Sequence, residues 1–199
     1  MEKSEIALVV FLKNAVAGKV KTRIAATTDD RTALEVYSEL TKRTIELIYQ
    51  LEASTYLYFS DHIPHDFEAL KEAVKRLQYG HDLGARMSGA ISECLSDHRA
   101  AVIIGSDCPY LTSEIVDKAF LKLNEVDFVI GPACDGGYYL IGMRAHHPDI
   151  FENIEWSTSN VLRETINRIK NSGYSYHLLP ELEDIDSWEQ WIKYKIHIS

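Results

Sequence analysis

Ala100-Ala-Val-Ile-Ile-Gly105 runs straight into Ser106-Asp107-Cys108-Pro109. It reads as a strand buried on both faces that ends in an acidic loop. The same grammar repeats on either side. Residues 6–12 form a second Val- and Ile-rich run, residues 54–60 a further strand, and residues 126–130, 138–143 and 174–179 three more. Helical spacing fills the gaps. Residues 30–51 place apolar side chains at 34, 37, 40, 45, 48 and 51. Pro64 opens a predicted helix to about Leu77, with Phe67, Leu70, Val74 and Leu77 on one face. Residues 84–95, 112–124 and 157–172 read as further helices, the last stopped by Gly173. Asp186-Ser187-Trp188-Glu189 has the form of a capping box opening a C-terminal helix.

Strands alternating with helices predict an α/β, Rossmann-like fold: a mainly parallel central sheet with helices on both faces. No linker, repeat or low-complexity stretch interrupts the 199 residues, so 1–199 reads as a single domain. Ligands of such sheets bind beyond the carboxyl ends of the strands. The loops 13–23, 106–110 and 131–137 all fall there.

Composition narrows the partners. The chain is 46% hydrophobic and 26% charged, which excludes a disordered chain. Lys and Arg number 21 against 30 Asp and Glu, a net charge of -9, so no nucleic-acid footprint is expected. An anionic ligand then needs a local cation cluster, a helix N-terminus or a metal ion. The cysteines, Cys94, Cys108 and Cys134, are odd in number and form no CxxC, as expected of reduced thiols in a cytoplasmic protein. The apolar run 6–12 is too short for a membrane span. Oligomeric state is left open, a homodimer included.

Five segments carry residues suited to chemistry. Lys13, Lys19, Lys21 and Arg23 crowd the loop after the first strand, with Gly18 and Thr22 among them. Such a loop can cradle a phosphate, Gly18 letting the backbone approach and Lys21 and Arg23 supplying charge. It lacks the glycine and hydroxyl spacing of a Walker A loop. Asp107 at the tip of a buried strand suits a divalent cation, or equally caps its own turn. Asp135-Gly136-Gly137-Tyr138 reads either as a hairpin turn or as a ligand-facing loop with Asp135 as a base. Asp186 is a helix cap or a second metal carboxylate. Trp156-Ser157-Thr158 is a helix entry whose hydroxyls could line an acceptor pocket.

Taken together, the motifs resemble a family of small bacterial glycosyltransferase-like proteins, often encoded beside radical-SAM genes and linked to arsenosugar biosynthesis. The family adopts the nucleotide-diphospho-sugar transferase (GT-A) fold. The resemblance rests on Gly18-Lys-Val-Lys-Thr-Arg23, Asp82-Leu-Gly-Ala-Arg-Met87, Ile104-Gly-Ser-Asp-Cys-Pro109, Gly131-Pro…Asp135-Gly-Gly-Tyr-Tyr-Leu-Ile-Gly142, Trp156-Ser-Thr158 and Asp184-Ile-Asp186. It implies a nucleotide diphosphate against Gly18, Lys19, Lys21, Thr22 and Arg23. It also implies a metal on Asp107 and Asp186, and a sugar or acceptor facing Asp135, Gly136, Gly137 and Tyr138. Arg86 would reach base, ribose or phosphate. Two departures stand out: Ala15 and Ala17 replace prolines before Gly18, and Ser187-Trp188 replaces Thr-Pro.

The expected activity is therefore metal-dependent glycosyl transfer from a nucleotide-diphosphate sugar to a small-molecule acceptor, with Mg²⁺ or Mn²⁺. Asp107 and Asp135 are the expected catalytic residues. The alternatives are nucleotidyl transfer from a nucleoside triphosphate, as in molybdenum-cofactor or phospholactate guanylyltransferases, and a nucleotide-sugar binding module without turnover.

Overall fold

The computed structural model describes residues 5–65 and 67–198. Among the described residues seven strands form one sheet: β1 (Ile6–Leu12), β2 (Ser54–Phe59), β3 (Val74–Leu77), β4 (Ala100–Ile104), β5 (Phe128–Pro132), β6 (Tyr138–Met143) and β7 (Tyr176–Leu178). Their order is β3-β2-β1-β4-β6-β5-β7. Only β6 opposes its neighbours, pairing antiparallel with both β4 and β5; the other pairs are parallel. The cause is local. Residues 133–137 join β5 to β6 directly, and so short a loop can only reverse the chain.

Among the described residues six α-helices flank the sheet: α1 (Thr22–Ala25), α2 (Asp30–Ile48), α3 (Leu83–Cys94), α4 (Ser113–Lys122), α5 (Val161–Asn171) and α6 (Trp188–Ile198). Alternate residues of β1 serve the two faces. Leu8 and Val10 share a core with Leu47 of α2 and Val116 and Phe120 of α4. Ala7 and Val9 share the other with Met87 and Ile91 of α3 and Ile169 of α5. Burial on both faces is why β1 and β4 read as continuous apolar runs. Asp29 and Asp82 cap α2 and α3, accepting the Thr32 and Ala85 amides at 2.9 and 2.7 Å.

Residues 64–77 depart from the sequence reading. No helix forms there among the described residues; Val74–Leu77 is instead an edge strand parallel to β2. The 3-4-3 spacing of Phe67, Leu70, Val74 and Leu77 mimics a helix face. Leu70 in fact joins the core from irregular chain with φ 53°, and Phe67 packs on Phe59. The expected helix over 157–172 starts later, at Val161, which leaves residues 157–159 free beside the strand ends.

The cap of α6 is shifted by one residue. Ser187 Oγ accepts the Gln190 amide at 3.3 Å, and Gln190 Oε1 accepts the Asp186 and Ser187 amides at 2.9 and 2.8 Å. The box is thus Ser187–Gln190, and the Asp186 carboxylate is released for other work. Ser187→Ala is expected to cost about 1 kcal/mol, a fall in Tm of about 2–4 °C at this size, read by calorimetry. No change in Tm would return the cap to Asp186.

A third core cluster fixes the site. Ile24 and Ile185 are fully buried with Val36 and Leu40 of α2 and Trp191 and Tyr194 of α6. It clamps residues 21–24 against residues 184–186, although some 160 positions separate them.

Candidate functional site

The carboxyl ends of β1, β2 and β4 open into a cleft of about 710 Å³. The cationic loop enters from one side. Val20 and Ile24 are buried beneath it, and the chain turns at Lys21, a non-glycine residue at φ 47°, ψ 45°. That left-handed conformation is uncommon for a lysine and persists only when its surroundings hold it. Here they do. The Lys21 side chain is 4% exposed, and its Nζ lies 2.7 Å from Asp107 Oδ1 and 3.6 Å from Asp186 Oδ1. It also donates to Ile185 O at 2.6 Å. Arg23 Nη1 reaches Asp186 Oδ2 at 3.3 Å from the solvent side. A main-chain bond locks the frame, Ile185 N donating to Asp107 O at 2.9 Å.

Four carboxylates meet in this corner. Asp184 is the innermost: Oδ1 is buried without a hydrogen-bond partner. Burial pushes its carboxyl up to about 7, and the charges of Asp107, Asp135 and Asp186 add to the effect, with Lys21 opposing. Asp135 sits in the β5–β6 hairpin loop, its Oδ1 accepting the Gly137 amide at 2.9 Å. The loop is a hairpin turn, and Asp135, Gly137 and Tyr138 of it also line the cleft. Gly136 has φ +90°, and a Cβ there would run into Ser159 O, so the 157–159 loop packs directly on its backbone.

Of the residues singled out from the sequence, Lys19, Lys21, Thr22, Arg23, Arg86, Asp107, Asp135, Gly137, Tyr138, Trp156, Ser157, Thr158 and Asp186 line the cleft. Gly18 and Gly136 do not line it; Gly18 has φ +77°, and a Cβ there would meet the Asp30 carboxylate. Arg86 Nε donates to Gly80 O at 3.2 Å. Trp156 packs on Gly84, and its Nε1 is buried without a partner. Thr158 Oγ1 donates to Glu155 O at 2.8 Å, and Ser157 takes the left-handed φ of 65°. Cys108 offers no nucleophile, because burial pushes its thiol far up.

Sequence reasoning missed two residues that shape the cleft. The Tyr37 hydroxyl donates to Lys13 O and accepts the Lys13 amide, both at 2.8 Å. Its helical spacing looked like simple core. Asn14 Oδ1 accepts the Asp61 amide at 2.9 Å, and Nδ2 donates to His62 O at 2.8 Å, tying the loop after β1 to that after β2. Tyr37→Phe leaves the part-buried Lys13 peptide without its partner and is expected to cost about 1 kcal/mol. Hydrogen exchange checks it: the Lys13 amide should exchange faster, and unchanged protection would reject the role.

A divalent ion is tested on the donor set. Asp107 Oδ1, Asp186 Oδ1 and Ile185 O already converge on one cation, the Lys21 ammonium. Among the described residues no three His, Cys, Asp or Glu side chains form a ready cage. Two carboxylates and a main-chain carbonyl are an all-oxygen donor set, which fits a hard ion that takes its remaining ligands from water and phosphate.

Residues 41–158 match the family described as "Uncharacterized protein conserved in bacteria (DUF2064)". No curated protein matches. A protein from Desulfovibrio desulfuricans G20, named as a candidate nucleotide-diphospho-sugar transferase, is 31% identical; the match covers 97% of this chain and 87% of that one, with a TM-score of 0.89. Rv0371c from Mycobacterium tuberculosis H37Rv, solved with manganese, is 13% identical over 94% of this chain and 96% of its own, at TM-score 0.60. The inositol-1-phosphate CTP transferase of T. maritima is 14% identical over 94% and 91%, at TM-score 0.57. The last two likenesses are of fold, which is that of nucleotide-diphospho-sugar transferases and nucleotidyltransferases. With more than half its length matched by the family's model, and a 31%-identical relative spanning nearly all of it, the chain belongs to the DUF2064 family of bacterial proteins.

Proposed function

We propose that this protein is a metal-dependent glycosyltransferase that takes a nucleotide-diphosphate sugar as donor. The observation that carries the reading is the meeting of Asp107, Asp186, Lys21 and Arg23 within ion-pair distance at the mouth of a sheet-end cleft. A donor diphosphate lies across that corner, between the cationic loop and the carboxylates. Asp107 and Asp186 would hold a divalent ion, Mg²⁺ or Mn²⁺, which would supply Lewis-acid stabilisation to the diphosphate leaving group.

The chain's own residues do the rest. Lys19 and Arg23 face the diphosphate and oppose the negative charge it gains on departure. Asp135, oriented by the Gly137 amide, accepts the proton of the attacking acceptor hydroxyl. Ser157, Thr158 and Trp156 form the acceptor wall, closed from behind by the packing of Gly136 on Ser159.

Nucleotidyl transfer is the second reading, favoured by the CTP transferase among the structural neighbours. One experiment separates the readings. The protein is incubated with Mn²⁺ and a panel of nucleotide sugars and nucleoside triphosphates, and the products are resolved by anion-exchange chromatography. Free nucleoside diphosphate is expected. Pyrophosphate in its place overturns glycosyl transfer in favour of nucleotidyl transfer, and binding without either product leaves a binding module.

A further inference from the structure

We propose that Lys21 is an internal counter-ion: its ammonium holds the Asp107–Asp186 pair in the ligand-free protein and must leave before a divalent ion can be held there. Ion and diphosphate therefore load together. The inference rests on the metal–diphosphate reading above and adds its order of assembly.

The geometry is specific. Nζ contacts Asp107 Oδ1, Asp186 Oδ1 and Ile185 O at 2.7, 3.6 and 2.6 Å. These are the oxygens a small hard cation would use. An ammonium and a divalent ion cannot both sit against them, because at such separations their repulsion is many times thermal energy. The two states are therefore exclusive. Without either cation the pair of acids would face Asp135 and Asp184 with only the solvent-exposed Arg23, 3.3 Å from Asp186 Oδ2, to offset them, so Lys21 is the buried cation that makes the corner tolerable.

The lysine also has somewhere to go. It lines the cleft beside Lys19 and Arg23, where a diphosphate offers it new oxygens. It stands directly before α1, only four residues long, and leaving φ 47° returns a non-glycine residue to commoner backbone angles. A metal ion alone gives Lys21 no new anion to bind. A diphosphate alone must face uncovered carboxylates once the ammonium moves. Together they exchange partners with charge matched throughout, which makes their binding cooperative.

Equilibrium dialysis of Mn²⁺ against the full chain tests this, with inorganic pyrophosphate as the diphosphate probe. Without pyrophosphate, Lys21→Gln is expected to bind Mn²⁺ about tenfold or more tightly than the native protein, and Lys21→Arg no more tightly than native. Pyrophosphate should raise native Mn²⁺ retention to the level of Lys21→Gln. Equal affinity of folded Lys21→Gln and native protein overturns the exchange. Where circular dichroism shows Lys21→Gln misfolded, the native arms decide: retention unchanged by pyrophosphate rejects the idea, and a rise of about tenfold supports it. Mn²⁺ retained by no protein, even with pyrophosphate, removes the metal reading itself. Retention that is equal in every arm removes only the exchange.

Discussion

Asp107→Asn is expected to lower turnover by about 10²–10³, the usual cost of one preorganised electrostatic contact in an active site. The asparagine keeps the shape of the side chain. The main-chain bond from Ile185 N to Asp107 O is untouched, so the corner keeps its frame. What is lost is the charge. An uncharged amide oxygen is a weaker ligand than a carboxylate for a hard divalent ion and cannot balance a cationic loop. Lys21 loses its 2.7 Å partner but retains Ile185 O and Asp186. The Asp107 side chain is 40% exposed, so the stability cost should stay within about 1 kcal/mol. The measurement is kcat/KM with the donor found by product analysis, beside a thermal melt. Native turnover in a folded variant would take Asp107 out of the mechanism, and with it the proposed role of the corner.

The elements that gave themselves away in sequence are those whose burial is complete. Residues 6–12 and 100–104 have no exposed face, so their patterns are unbroken and their reading correct. Residues 64–77 misled because only a four-residue edge strand lies there, half of it exposed, with no apolar alternation to announce it. The α6 cap misled for a different reason. Asp186 and Glu189, and Ser187 and Gln190, are overlapping boxes one residue apart. Local chemistry cannot choose between them. The choice is made by Lys21 and Arg23, which draw the Asp186 carboxylate away from the helix. The same limit applies to the site. Each of its loops was visible as a post-strand segment with odd residues. Their meeting was not, because it depends on Ile24 and Ile185 being buried together and on one main-chain hydrogen bond, donated by Ile185 N to Asp107 O. Asp184 shows it most clearly: beside Asp186 in sequence it looks like one more exposed acid, and only the fold turns it inward.

That inward turn has a measurable consequence. The folded state holds the Asp184 proton up to about pH 7, against an ordinary carboxyl value of 3.8. Below pH 3.8 both folded and unfolded chains are protonated there, and Asp184 has no effect on stability relative to a neutral group. As pH rises from 3.8 towards 7 the unfolded chain releases the proton while the folded chain keeps it, so stability falls through that window. Above pH 7 the loss is complete and constant. Three pK units set a ceiling of about 4 kcal/mol, and water in the adjoining cleft should reduce it to about 1–2 kcal/mol. Asp184→Asn abolishes the titration and fills the same space. The variant is therefore expected to melt above the native protein at pH 8, by about 2–4 °C for each kcal/mol, and the two melts should converge near pH 4. Scanning calorimetry in EDTA keeps divalent ions from masking the difference. Melts that run parallel from pH 4 to pH 8 would mean that Asp184 ionises freely, and that the corner is wetter than its buried, unpaired oxygen implies. A gap that opens with pH would show instead that the fold tolerates a costly carboxylate behind Asp107 and Asp186, where its negative potential strengthens the attraction of the site for any cation, Lys21 included.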